Sequence, residues 1–241
     1  MIEAETKKRP SWLRRAWLLL MRVIALFLMF SVVMTAVYAW VPPPVTWLML
    51  WRVVEGNWIH KDWESYDNIS PNLVRAVIAA EDAKFCEHYG FDWESIEKAW
   101  KRNQNAKRIR GGSTISNQTA KNVFLWPDRT YVRKGLEFYF TGLIELMWSK
   151  KRVIEVYLNV VEFGPGIYGA EAAAQAHFKK SAKDLTRREA ALLAAVLPNP
   201  IRWSASKPTS YIRGRAGTIQ ARMNDVPDPT GDPCAKALPA N

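Results

Sequence analysis

The sequence predicts a mainly α-helical domain carried behind a single transmembrane helix, and three observations support this. Residues 23–41 run without a charged side chain. Downstream, apolar residues recur at helical spacing behind recognisable start signals. Alternating apolar and polar runs, the mark of half-buried strands, are scarce. A chain of 241 residues can bury a sizeable core in one domain.

The elements follow in order. Residues 1–22 hold six Lys or Arg (Lys7, Lys8, Arg9, Arg14, Arg15, Arg22) against two Glu, contributing +4 of the formal net charge of +11. The uncharged run after this basic tail fits the ~20 apolar residues that cross a bilayer as a helix. Positive charge on that side holds the N-terminus in the cytoplasm and places everything after residue 41 outside. The run exceeds the ~7–15-residue apolar core of a signal peptide, so an uncleaved anchor is favoured over cleavage near Val37 and Ala39. Pro42, Pro43 and Pro44 end the helix. The apolar stretch 45–51 suits the membrane surface. Of the twelve tryptophans, core packing accounts for about half and the membrane–water interface suits the rest.

Ser70 reads as a helix N-cap with Pro71 at the first helical position, and Leu73, Val74, Val77 and Ile78 supply an apolar stripe. Thr186-Arg187-Arg188-Glu189 fits a capping box ahead of an Ala- and Leu-rich helix that Pro198 stops. Helical patterns also fit residues 113–124, 130–148, 150–159 and 169–178. The domain spans 45–224. From Asp225 the Pro, Asp and Gly content predicts a disordered tail over 225–241. Cys86 and Cys234 lack metal-binding spacing. An extracytoplasmic location permits a disulfide, but the Pro-rich surroundings of Cys234 favour two unpaired thiols.

Four segments carry candidate chemistry. In Glu81-Asp82-Ala83-Lys84-Phe85-Cys86-Glu87-His88-Tyr89-Gly90-Phe91-Asp92, adjacent helical residues point about 100° apart, so Glu81 and Asp82 cannot both face one cleft. A carboxylate just beyond an apolar helix is partly desolvated and more basic; a surface or capping role is the plainer alternative. In Gly111-Gly112-Ser113-Thr114-Ile115-Ser116-Asn117-Gln118-Thr119-Ala120-Lys121-Asn122, the glycines lead into a helix start that could hold an anion. Thr114, Gln118 and Lys121 form one polar face. The segment lacks the Gly-Lys-Ser/Thr ending of a P-loop. Arg129, Arg133 and Glu137 recur every four residues, and Arg133 keeps Glu137 ionised; taken alone they read as an exposed helical ion pair. In the fourth, Glu155 and Asn159 share a face, and Gly164-Pro165-Gly166 with Gly169 turn sharply into a small-residue helix, a structural role. Residues 98–110 add six basic side chains (Lys98, Lys101, Arg102, Lys107, Arg108, Arg110) and no acid.

In this order the segments resemble glycosyltransferase family 51, the peptidoglycan glycosyltransferases. Its pattern E-D-x-x-F-x-x-H-x-G-x-D matches at Glu81, Asp82, Phe85, His88, Gly90 and Asp92. R-K-x-x-E matches at Arg133, Lys134 and Glu137, Y-L-N at Tyr157-Leu158-Asn159, and the Gly-rich turn into an Ala-rich helix from Gly164 to Phe178. The G-G-S-T motif departs at Asn117, where the family usually has Gln. The resemblance covers roughly residues 55–215. The chain ends too soon for the transpeptidase domain of bifunctional relatives, and Ser204-Ala205-Ser206-Lys207 has no K-T-G after it. The subgroup it resembles is therefore the monofunctional biosynthetic transglycosylases.

The resemblance implies a lysozyme-like glycosyltransferase domain in the bacterial cytoplasmic (inner) membrane, single-pass, with its catalytic domain periplasmic. It implies lipid II and the nascent glycan strand as substrates. Glu81 is then the general base on the acceptor 4-hydroxyl, and Lys121, Arg129 and Arg133, with Lys134 beside them, are the cations for the donor diphosphate. Glu137 orients those cations, and Thr114 and Gln118 line the cleft. A divalent cation, Mg2+ or Mn2+, is admitted but not required, with Glu137 as its holder. Membrane lipid is a partner, and cell-wall synthesis or division proteins are admitted as partners. The basic excess also suits nucleic acid, which the outward topology removes. Two alternatives stand beside this reading: a membrane-anchored lytic muramidase, which needs an acid for a poor leaving group, and a non-catalytic basic scaffold.

Overall fold

A computed structural model describes residues 12–103, 112–128 and 130–235. The apolar run becomes helix α1, Trp12–Tyr38, 27 residues long and apolar enough to cross a membrane. It starts well before residue 23, taking in Arg14, Arg15 and Arg22, because long Arg side chains stay helical while reaching for water. It stops before residue 41 because Pro42 disfavours helical backbone in the residue ahead of it. The C-terminal part of α1 is docked on the domain. Ser31 Oγ lies 2.7 Å from Tyr139 Oη, and Trp148 Nε1 donates to Thr35 O at 2.8 Å. Arg152 donates to Tyr38 O at 3.0 and 2.9 Å, a cation on the helix's carbonyl end.

The predicted surface segment is α2, Trp47–Val54, capped by Thr46. It keeps Met49 in the core and turns Trp47, Leu50, Trp51 and Val54 outward. The tryptophan division is corrected: nine of the twelve are exposed and only Trp148 is buried, so the indoles serve surfaces far more than the core.

After β1 (His60–Lys61) come α3 (Pro71–Glu81), α4 (Trp93–Asn103), α5 (Ile115–Phe124), α6 (Tyr131–Met147) and α7 (Lys150–Val160). Then follow β2 (Glu162–Gly164), β3 (Ile167–Tyr168), α8 (Ala170–Phe178), α9 (Arg187–Val196) and α10 (Ser210–Arg222). The helices predicted from caps and stripes form within one or two residues of their expected ends. The three short strands pair in the order β1-β3-β2, parallel and then antiparallel. The turn between β2 and β3 needs Gly166, at φ +72°, where a Cβ would collide with Trp58 O.

Helix α9 is buried from Ala190 to Val196, apolar all round as a central helix must be. The Thr186–Glu189 capping box starts it. Helices α3 and α10 flank α9, and α5 lies against α6 and α7. Asn159 bonds Glu64 through both its amide atoms, at 2.9 and 2.8 Å, the structural role expected of the fourth segment.

Two expectations about the tail are overturned. Cys86 and Cys234 are joined in a disulfide rather than standing as free thiols. Residues 225–235 pack on the domain: Tyr66 Oη donates to Pro229 O at 2.6 Å, Arg75 pairs with Asp228 at 3.2 Å, and Cys234 is buried. Composition predicts disorder when a segment has too little apolar surface to bury; here a cross-link and polar contacts hold it.

Candidate active site

Helix α3 delivers Glu81. Ser70 accepts from Asn72 N to cap the helix, and six of its residues sit in the core, so its last turn is firmly held. At Asp82 the backbone leaves the helix (φ −157°), and the two acids diverge as their spacing requires. Asp82 turns inward: its Oδ1 lies 3.0 Å from His88 Nε2, and its Oδ2 accepts from Ile115 N at 3.0 Å. It thereby places a carboxylate at the N-terminus of α5. Glu81 stays at the surface of the cleft with its side chain 14% exposed.

Glu81 is held by polar partners from other elements. Gln118 Nε2, on α5, donates to Glu81 Oε2 at 2.9 Å, and Tyr157 Oη, on α7, donates to Gln118 Oε1 at 3.3 Å. Burial, with the charges of Glu81 and Asp82 behind it, pushes the Tyr157 phenol well above its ordinary value, so this hydroxyl is a lasting donor. Arg215 Nη2, on α10, lies 3.8 Å from Glu81 Oε1.

Glu81 lines the smaller of two concavities, and its partner Gln118 lines the larger. The smaller, about 260 Å³, is bordered by Glu81, Asp82, Lys84, Asp92, Ser95 and Thr114. The larger, about 510 Å³, is lined on its polar side by Arg52, Lys121 and Arg133, with Gln118, Asn122, Asp128 and Glu162. Gln118 thus faces the larger space while holding the carboxylate of the smaller. Leu48, Leu125, Trp126 and Val161 give the larger space an apolar wall beside α2.

In the cationic part, burial draws the Lys121 amine below its ordinary value; the Glu137 charge opposes this, and Arg133 and Lys134 add to it. Arg133 Nη1 donates to Glu137 Oε2 at 2.6 Å, and Lys134 Nζ binds the other carboxylate oxygen. The side chains of Arg133 and Glu137 are 11% and 5% exposed, which corrects the exposed ion pair that their spacing alone predicts. Lys134 is half exposed. Among the described residues, Arg133 Nε is buried without a hydrogen-bond partner, a spare donor beside the cleft.

Glu137 does not fit the metal-holding role. Both of its oxygens are engaged by cations, and among the described residues no three His, Cys, Asp or Glu side chains converge on a metal-sized site.

Gln118 and Lys121 share the cleft as their spacing predicts, but Thr114 does not join them. It is the N-cap of α5: its Oγ1 donates to Gly90 O at 2.6 Å and accepts from Asn117 N at 3.1 Å. It lines the smaller concavity instead, beside Glu81. Asn117 completes that capping box and donates to Thr141 Oγ1 at 3.0 Å, so the departure at this position faces the interior. Arg129 and most of the basic run, Lys107, Arg108 and Arg110 included, lie outside the described residues. The motifs missed Arg52, Arg215 and Tyr157 as site residues. The first two stand in no recognisable pattern, and Tyr157 belongs to a segment read as structural.

Known proteins share this chain's sequence at length. The profile of a family described as Transglycosylase matches residues 50–224. A biosynthetic peptidoglycan transglycosylase of Caulobacter vibrioides is 56% identical over 200 residues, covering 82% of this chain and 87% of the relative. One from Rhodospirillum centenum is 54% identical over 215 residues, covering 89% and 91%. One from Bdellovibrio bacteriovorus is 51% identical over 215 residues, covering 87% and 85%.

Proposed function

The chain belongs to the transglycosylase family, is a peptidoglycan glycosyltransferase, and from that premise we propose that it lengthens glycan strands from lipid II by an inverting transfer with Glu81 as general base. The observation that carries this reading is that Glu81 lines a small acidic concavity and is hydrogen-bonded to Gln118, which lines a larger one holding Lys121 and Arg133.

The growing strand, on its lipid diphosphate, is the donor and occupies the cationic side; lipid II presents its 4-hydroxyl from the acidic side. As the hydroxyl oxygen bonds to the donor's anomeric carbon, its proton passes to Glu81. The bond to the diphosphate breaks with its electron pair leaving on the diphosphate, so one displacement turns an α linkage into a β linkage. A sugar hydroxyl is a weak acid and needs the base. Diphosphate is already a good leaving group and needs fixed positive charge more than an acid. Lys121 and Arg133 supply that charge, with Arg52 at the membrane-side wall. Glu137 holds Arg133 and Lys134 in place, and Gln118 and Arg215 hold Glu81. No step runs through a metal.

The basic flank of α1 supports a cytoplasmic N-terminus with the domain outside, and the Cys86–Cys234 disulfide suits that side of the membrane. The exposed tryptophans of α2 rest on membrane lipid. Incubating the purified full-length protein with lipid II tests the reading. Consumption of lipid II into long glycan is expected; shortening of added glycan with lipid II untouched would instead make it a hydrolase.

A further inference from the structure

The turn that follows Glu81 is fastened on two sides. On its inner side Asp82 meets His88, Thr114 Oγ1 donates to Gly90 O, and Lys150 Nζ donates to His88 O at 2.6 Å. Phe85 is fully buried beneath it. On its outer side the fastening is covalent: Cys86 is bonded to Cys234, 148 residues further along the chain. The tail that brings Cys234 there is tied back to the helix that carries Glu81, through Arg75 and Asp228, and to Tyr66 through Pro229 O. The connection therefore closes a ring: along α3 from Arg75 to Glu81, through the turn to Cys86, across the disulfide, and back along the tail to Arg75. That ring encloses one wall of the acidic concavity and includes none of Lys121, Arg133 or Glu137.

We propose that the Cys86–Cys234 disulfide is a positioning element for the acceptor side of the reaction, fixing the turn after Glu81 so that the carboxylate and the acidic concavity hold their shape. The proposal rests on the reading of Glu81 as the acceptor's base. Formation removes two protons and two electrons from the thiols and delivers them to a protein disulfide of the extracytoplasmic compartment, which becomes a dithiol. Until that exchange the cationic side is complete and the acceptor side is loose. Misplacing a catalytic group by about 1 Å costs up to ~10²-fold in rate, so loss of the staple has room to act without unfolding the domain.

The test uses the full-length protein in detergent as oxidised parent, Cys86→Ser, Cys234→Ser and the double variant, and the parent reduced with dithiothreitol in the cold in case a variant folds poorly. Polymerisation is measured with a short glycan on lipid diphosphate as donor and lipid II as acceptor, each varied separately, and binding with a phosphoglycolipid donor mimic. Expected is a loss of about tenfold or more in turnover per acceptor, equal in single and double variants and in the reduced parent and reversed on reoxidation, with donor-mimic affinity within about twofold. Turnover within about threefold of the parent in the reduced protein overturns the proposal. So does a parallel loss of donor-mimic binding, which marks a general stabiliser. Glu81→Gln assayed alongside separates the layers. If that variant is active, the base reading fails; if it is inactive while the staple variants are fully active, only the positioning role fails.

Discussion

Gln118 Nε2 sits 2.9 Å from Glu81 Oε2, and the same amide accepts from the buried hydroxyl of Tyr157 at 3.3 Å. Because a carboxylate only accepts, the amide nitrogen faces Glu81, which leaves the amide oxygen to accept from the Tyr157 hydroxyl. Glu81 is therefore aimed by a residue that also lines the larger concavity, so in the proposed mechanism donor and acceptor sides share one side chain.

Replacing Gln118 with Leu removes a hydrogen bond to a charged group, a contribution of about 1.5–3 kcal/mol. Expressed wholly in the transition state, this lowers kcat/KM between about tenfold and about 150-fold. Tyr157→Phe acts only through Gln118 and removes a neutral bond of about 0.5–1.5 kcal/mol, so its loss is smaller. Steady-state kinetics on both variants check the order; a Tyr157→Phe defect larger than that of Gln118→Leu contradicts this aiming role.

Glu81→Gln keeps the side chain's shape and removes the proton acceptor. Polymerisation should fall by about 10²–10⁴, while lipid II binding and the unfolding midpoint stay near the parent's. Raising the pH restores nothing, since no titratable base is left there. Activity within about threefold of the parent would falsify the assignment of Glu81.

Much of this arrangement was legible in the sequence where local rules decide. Ser70-Pro71 and Thr186 through Glu189 give helix starts because a cap is a contact within a few residues, and the divergence of Glu81 from Asp82 follows from helical spacing. What was not legible depends on distant packing. Arg215 reaches Glu81 only because α3 and α10 both lie on α9. Thr114 lines the smaller concavity rather than the larger one with Gln118 and Lys121, because spacing cannot tell an N-cap, with its side chain turned back on the backbone, from the helix that follows. Cys86 and Cys234 meet across 148 residues, and no local signal reports that.

If Lys121 serves the donor as proposed, it sets a pH limit on donor binding. Burial places its amine below the ordinary lysine value of 10.5. As pH rises through that lowered value the charge is lost, so affinity for a phosphoglycolipid donor mimic should fall at a lower pH than an exposed lysine would allow. Folding stability moves the other way over that window: the unfolded chain binds the extra proton, so this group's contribution rises with pH. Lys121→Arg keeps the charge and should abolish the alkaline loss of binding. Calorimetric titration across the alkaline range checks it; an unchanged limb in Lys121→Arg assigns the loss elsewhere.

Topology makes a separate prediction. Reporters fused after Arg15 and after Ala240 should report opposite compartments, the first cytoplasmic and the second outside. Removal of α1 by cleavage near Trp40 would break the Trp148–Thr35 and Arg152–Tyr38 contacts that dock it on the domain. A mature form beginning near Trp40 in intact cells would therefore sink the anchor.

The Arg133–Glu137 pair separates stability from function. Both side chains are buried, so Arg133→Ala leaves a buried carboxylate served only by the half-exposed Lys134 and should cost about 3–5 kcal/mol. Lys134→Ala removes a flexible, solvated partner and should cost at most about 1 kcal/mol. Replacing both members of the buried pair with apolar residues of similar volume, Arg133→Met with Glu137→Leu, removes the unpaired charge along with the pair, and such exchanges are often neutral or stabilising. The double variant should therefore recover an unfolding free energy within about 1–2 kcal/mol of the parent, better than Arg133→Ala alone. Donor binding should not recover with it, because the guanidinium proposed to meet the diphosphate is gone while Lys121 is intact. Denaturant unfolding and donor-mimic titration on the same four proteins give both quantities. A double variant that is stable and also binds the mimic like the parent would make the pair purely architectural and leave the diphosphate to Lys121 and Arg52.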